Sequence, residues 1–304
     1  MNRRLFLTAA AAAVGTLKAA APSRQAFIAG VIPAGRTSTS AAAAPNTDPI
    51  ATFWKNCDDA SGLGFRHIEF NTTRTRIAES YADRAAEFKD ETARRGLKLA
   101  GLALFSHTAN RAERSEVIER HMLLGRFLAA LGGTYITHML AAGTALNESR
   151  NAEDYRNVEL DVWVANANEI GKRLMNEYGV KLAYHPEQVE VRTGLWKRVL
   201  EASDGRYLGF LPDTGHLASG GVDPAAVCRE HHSRLVCVHL KDFRPEVEKP
   251  AMVGKLPFGQ GSVNLPAVVD TLRDLNFAGH VMGESGVTNR LMHDYMTDTL
   301  KLTL

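Results

Sequence analysis

Cysteine is scarce in this chain, and its three thiols form no motif: Cys57, Cys228 and Cys237 are an odd set with no CxxC spacing. One disulfide stays open to an exported chain, but Cys237 sits inside an apolar run and reads as a packed thiol. The thiols therefore point to no function. An excess of charge of one sign is also missing. The formal net charge is +2 over 304 residues, whereas a nucleic-acid partner usually needs a clustered basic face. No apolar run is long enough to cross a bilayer, so no permanent membrane span is expected. No GxGxxG follows the first strand candidate, which disfavours a doubly wound open sheet, the structural alternative. With 45% hydrophobic and 23% charged residues, the chain suits one large domain with a substantial core.

The N-terminus carries its own signature. Arg3-Arg4 precede a short, mildly apolar stretch from Leu5 to Leu17, and Lys18 is followed by Ala19-Ala20-Ala21. Paired arginines, a short apolar stretch and small residues in that order resemble a twin-arginine export signal over residues 1–21. The expected location is the periplasm or beyond, with the twin-arginine export machinery as a partner. Of 36 Lys and Arg residues, three lie in this segment, leaving 33 against 34 acidic residues in the mature domain, 22–304.

After the signal, short apolar runs alternate with helix-like stretches. The strand candidates run from Ala26 to Ile32, Arg66 to Phe70, Lys98 to Leu104 and Thr134 to Met139. Four more run from Val180 to Tyr184, Tyr207 to Leu211, Leu235 to Leu240 and His280 to Gly283. Between them, Tyr81 to Arg95, Ser115 to Leu131 and Tyr155 to Tyr178 read as helices, each closed by glycine, and another starts near Leu265. Eight strands separated by helices predict a single-domain α/β fold, the (β/α)8 TIM barrel. The Ala/Ser/Thr-rich stretch from Gly35 to Asp48 reads as a surface loop after the first strand.

Three of the late strand candidates finish on a side chain that binds metals: Asp213, His239 and Glu284. In a ring of parallel strands the C-terminal ends converge on one mouth. Asp, His and Glu gathered there form an oxygen and nitrogen ligand set for a divalent cation. Singly, each has a plainer explanation as a turn cap, a rim histidine or an ion-pair partner. Together, at successive strand ends, they predict a metal site. His216, three residues past Asp213, is placed to reach a substrate.

The elements Phe210-Leu211-Pro212-Asp213-Thr214-Gly215-His216, Val238-His239-Leu240-Lys241-Asp242, Phe258-Gly259-Gln260-Gly261 and Gly279-His280-Val281-Met282-Gly283-Glu284 resemble the xylose isomerase-like TIM barrels. That group includes sugar-phosphate isomerases/epimerases, ketose 3-epimerases, hydroxypyruvate isomerases and inosose dehydratases. The resemblance implies a divalent ion (Mn, Mg, Co or Zn) held by Glu, Asp, His and Glu from strands five to eight. Asp213, His239 and Glu284 match the last three. At the first place this chain has His185-Pro186-Glu187, where many relatives have Glu, any residue, His. Either His185 takes the ligand's place in register or Glu187 does so from two residues along, since both share a face. The preferred assignment makes His185 the ligand and Glu187 the acid/base. The candidate metal set is thus His185, Glu187, Asp213, His239 and Glu284, and the candidate catalytic pair is Glu187 and Glu284.

The resemblance implies proton abstraction next to a carbonyl of a carbohydrate substrate, a sugar or polyol-derived ketone, by a metal-dependent isomerase or epimerase. Its relatives among the ketose epimerases use two strand-end glutamates, one on each face of the substrate. A histidine in one of those places makes a lyase or dehydratase the alternative. Candidate substrate contacts are Glu69, His107, His216 and Lys255; Glu69 could equally orient a neighbour or pair with a charge across the mouth, and His138 could be a rim histidine. Apurinic-site endonucleases share the barrel but carry an Asp-any-His element after strand seven, and Glu248 to Lys255 contains neither ligand. A periplasmic sugar binder without turnover is the reading from another class, and assembly into a homo-oligomer is left open.

Overall fold

The computed structural model describes residues 25–33, 48–73, 75–140, 155, 158–245, 256–285 and 288–304. The twin-arginine segment, Lys255, most of the Gly35 to Asp48 stretch and Glu248 to Pro250 lie outside them. Eight parallel strands form one sheet: β1 (Ile28–Val31), β2 (His67–Asn71), β3 (Lys98–Ser106), β4 (Tyr135–Leu140), β5 (Lys181–Tyr184), β6 (Leu208–Phe210), β7 (Cys237–Leu240) and β8 (His280–Gly283). Their order is β6-β5-β4-β3-β2-β1-β8-β7. Isolated parallel bridges at Phe210–Leu235 and Asp213–His239 join β6 to β7, so the sheet closes on itself. This is the TIM barrel expected from the alternating pattern. Every expected strand is present within a few residues of its expected limits.

The helices are α1 (Pro49–Leu63), α2 (Ile77–Ser80), α3 (Ala85–Arg94), α4 (Arg114–Ala130), α5 (Leu160–Tyr178), α6 (Gln188–Thr193), α7 (Leu195–Ala202), α8 (Thr214–Ser219), α9 (Pro224–Glu230), α10 (Leu265–Asp274) and α11 (Asn289–Asp294). Their limits follow from capping chemistry. Asp48 accepts from Ile50 N–H ahead of Pro49, and Asp223 accepts from Ala225 N–H ahead of Pro224. Gly64 and Gly179 close α1 and α5 in the left-handed conformation. The helix expected from Tyr81 begins only at Ala85. Tyr81 ends α2, and Arg84 N–H turns back onto Tyr81 C=O. The helix expected from Tyr155 is described from Leu160, with Glu159 at its N-cap. Among the described residues no helix is long and apolar enough to cross a membrane.

Alternation along the strands builds two cores. Outward strand residues such as Phe210 and Leu182 pack with Phe88, Trp163 and Trp196 of the helices in the layer between strands and helices. Ala100, Tyr135, Ala183, Leu211, Val236, Cys237 and Met282 fill the barrel interior. Tyr135 reaches across that interior over Gly101, where any Cβ would strike its ring. All three cysteines are buried and unpaired.

Candidate metal centre

Four interior apolar residues predict where the site must be. Side chains two apart on a strand share a face, so Ala183 is followed by His185, Leu211 by Asp213, Cys237 by His239 and Met282 by Glu284. Each pair takes the chain from the packed interior to the mouth. One ligand atom each from His185, Asp213, His239 and Glu284 lies within 4.8 Å of the others. Glu187 does not belong to that group. Of the two alternatives for the β5 end, the geometry brings His185 to the cluster.

Asp213 serves two purposes with two oxygens. Oδ1 accepts the His216 N–H at 2.9 Å and so caps α8. Oδ2 turns to the cluster, 2.9 Å from Lys241 Nζ and 3.6 Å from His185 Nε2. Glu284 places Oε1 at 3.0 Å from Lys241 Nζ and Oε2 at 3.1 Å from His239 Nδ1. Neither Asp213 Oδ2 nor His239 Nδ1 has an aligned hydrogen bond, and both are buried. Buried polar atoms are normally hydrogen-bonded. Two carboxylates and two imidazoles, with lone pairs gathered in one spot and imperfectly matched by protein donors, fit a divalent cation by donor chemistry.

Burial works to raise the Asp213 carboxyl, but its neighbours His216, Lys241 and the hydrogen-bonding His185 prevail and hold it well below its usual range. Glu284 behaves alike: Lys241 and His239 outweigh burial and keep it ionised. For His216, burial dominates and pushes the imidazole down to about 4, so it is neutral near pH 7. Lys241 is raised despite burial by Asp213, Glu284 and Glu187.

Behind the cluster stands Glu69, fully buried in β2. Tyr135 Oη donates to Oε2 at 2.6 Å, Thr137 Oγ1 donates to Oε1 at 3.0 Å, and His239 Nε2 lies 3.0 Å from Oε2. Its carboxylate is taken up inside the barrel, where it both orients His239 and pairs with it. Burial raises its carboxyl, but the His239 charge and the hydrogen bonds from His239 and Tyr135 bring it below the ordinary value.

Glu187 caps α6. Its side chain accepts the Glu190 N–H, while Glu190 Oε2 accepts the Glu187 N–H at 2.9 Å, a reciprocal capping box. Glu187 Oε2 is 3.7 Å from His216 Nε2, and its side chain is 11% exposed. His107 follows β3 at the rim, its Nδ1 3.0 Å from Glu113 Oε2 and its buried Nε2 without a hydrogen bond. His138 is not a rim histidine. It alternates outward from Tyr135 and Thr137, and its ring nitrogens meet His121 on α4 and Thr108. Lys241 was legible in the sequence only as part of His239-Leu240-Lys241-Asp242; its two-residue offset from His239 was the signal that it shares the same face.

The family described as Xylose isomerase-like TIM barrel matches residues 57–294. The rhizopine catabolism protein MocC of Rhizobium meliloti is 29% identical over 184 residues, 56% of this chain and 56% of that protein. The chain thus spans about half the length of that relative. An inosose dehydratase of Clostridium botulinum (strain Alaska E43 / Type E3) is 23% identical over 278 residues, 84% of this chain and 88% of that one. Among solved structures, the apo form of 3-keto-D-glucoside 4-epimerase, YcjR, from E. coli has a TM-score of 0.65 at 14% identity, covering 91% of this chain and 100% of that one. The IOLI protein with a binding zinc atom has a TM-score of 0.61 at 15% identity, covering 84% and 94%.

Proposed function

The chain belongs to the xylose isomerase-like TIM barrel family, and from that premise we propose a divalent-metal-dependent enzyme that removes a proton next to the carbonyl of a sugar or polyol-derived ketone and expels water. His185, Asp213, His239 and Glu284 would hold the ion. When bound, such a cation supplies Lewis-acid stabilisation of the negative charge that grows on a carbonyl oxygen.

The remaining work falls to the chain's own side chains. Glu187 lies outside the four-residue cluster and keeps some access to the mouth. It is assigned as the base that takes the proton from the carbon beside the carbonyl. The electrons of that C–H bond become the new C=C bond as the neighbouring C–O bond breaks. The departing hydroxide takes the proton from Glu187 and leaves as water, which restores the carboxylate with no net redox change. His216, neutral by burial, stands beside Glu187 and adds no competing charge.

The observation that carries elimination ahead of epimerisation is the histidine at the β5 end of the cluster. Inversion calls for a base on each face of the substrate. Here Glu284 is bound to Lys241 and His239, Glu69 is taken up behind the cluster, and Glu187, outside the cluster, keeps access to the mouth. The inosose dehydratases among the relatives agree with this choice. Epimerisation is the second reading, favoured by the 32% exposure of the Glu284 side chain, which leaves a second carboxylate open to the mouth.

The test is incubation of the metal-loaded protein with an inosose in deuterium oxide, followed by mass spectrometry. Loss of one water with appearance of an enone absorbance is expected. Deuterium incorporation with altered configuration and no loss of water would place the chain among the epimerases. No exchange and no loss of water with a panel of keto-sugars would leave it a binding protein.

A further inference from the structure

Lys241 takes no part in the steps above. It is the first residue past β7, two positions after His239, and so enters the same face of the barrel. It is buried. One hydroxyl clamps its backbone: Thr214 Oγ1 accepts from Lys241 N–H at 2.8 Å and donates to Lys241 C=O at 2.6 Å. From that fixed base Nζ stands 2.9 Å from Asp213 Oδ2, 3.0 Å from Glu284 Oε1 and 3.2 Å from His216 Nε2. Asp213 has no second oxygen to offer, because Oδ1 caps α8.

Resting on the metal reading of this site, we propose that Lys241 is a built-in competitor that sets how tightly the divalent ion is held. The ammonium and the ion draw on the same two carboxylates, and two cations at such separation in a buried site repel. Groups next to metal ligands commonly shift metal affinity by about 10- to 100-fold. Here the sign is inverted relative to an ordinary supporting residue. Loss of a brace loosens the ligands and weakens binding; loss of a competitor tightens it.

The experiment is a titration of metal-free wild type, Lys241→Met, Lys241→Gln and Lys241→Arg with Co2+ against a chelating dye. The visible absorption of the bound ion reports occupancy independently of activity. The two neutral variants are expected to bind at least about tenfold more tightly than wild type, and Lys241→Arg to stay close to it. Equal or weaker binding by the neutral variants overturns the proposal while leaving the metal reading intact. If wild type and all variants take up no Co2+, the metal reading fails and this proposal with it. Should a neutral variant be unfolded without metal, refolding at Co2+ concentrations below those that saturate wild type supports the proposal, and no refolding overturns it.

Discussion

Glu69 Oε2 and His239 Nε2 meet at 3.0 Å inside the barrel, each almost wholly removed from solvent. With Nε2 committed to Glu69, the lone pair that His239 can offer a cation is on Nδ1, the nitrogen turned to Glu284. A carboxylate behind a ligating histidine fixes both its tautomer and its orientation.

Glu69→Gln should therefore weaken divalent-ion binding by about 10- to 100-fold. Glu69→Ala should also destabilise the fold by roughly 3–5 kcal/mol, because His239 and the Tyr135 and Thr137 hydroxyls lose their shared acceptor. Calorimetric metal titration and urea unfolding check the two effects. Unchanged affinity in Glu69→Gln would remove Glu69 from the site.

Acid should weaken the fold through a second histidine pair. His121 Nδ1 contacts Val117 C=O at 2.7 Å, His121 Nε2 contacts His138 Nδ1 at 3.1 Å, and His138 Nε2 contacts Thr108 Oγ1 at 3.0 Å. Burial drives His121 down to about 4 and His138 well below its ordinary value. An imidazole depressed on folding binds more protons when unfolded. Its contribution is present above pH 6.5, its ordinary value, and is lost as the pH falls towards about 4. The loss from His121 is on the order of 3 kcal/mol. Urea midpoints should fall across that window, and the His121→Leu/His138→Leu double variant should show a shallower fall. The same fall in both proteins would contradict this account.

The turn after β7 depends on Asp242. Its carboxylate accepts four backbone N–H groups: Gly259 at 2.9 Å and Gly261 at 2.8 Å on Oδ2, Phe243 at 2.9 Å and Val263 at 3.2 Å on Oδ1. Asp242→Ala should cost roughly 3 kcal/mol, since the buried Phe243 N–H and the partly buried Gly261 and Val263 N–H groups lose their acceptor. Gly261→Ala should be similarly damaging, because the added methyl would run into the Asp242 carboxylate. Thermal unfolding of both variants is the check, and wild-type stability in either would count against the assignment.

Export is the expectation drawn from Arg3-Arg4 and the small residues up to Ala21. Changing Arg3 and Arg4 together to Lys should retain the chain in the cytoplasm, as judged by cell fractionation. Secretion of the double variant at wild-type levels would exclude the twin-arginine route.

The strands were legible because a strand buried on both faces has to be an apolar run, whichever residues compose it. Asp213, His239 and Glu284 were legible for a related reason: each interrupts such a run at its end. The parts that stayed hidden depend on register. Glu69 looks like a strand-end residue, but a register shift between Ile68 and Glu69 against β3 accompanies its interior position. His138 looks like a rim residue, yet parity from Tyr135 sends it outward to the helices. Lys241 stood in plain view two residues after His239, but nothing in one strand tells that Asp213 and Glu284 approach its ammonium from the neighbouring strands.

The most direct measurement is the divalent-ion content per chain of wild type and Asp213→Asn after equilibrium dialysis at matched free-ion concentration. Asparagine keeps an oxygen to cap α8 and removes the charge offered to the cluster, so folding and ligation are separated. One ion per wild-type chain and a large loss of occupancy in the folded variant are expected. Equal ion content in the two proteins would contradict the metal site.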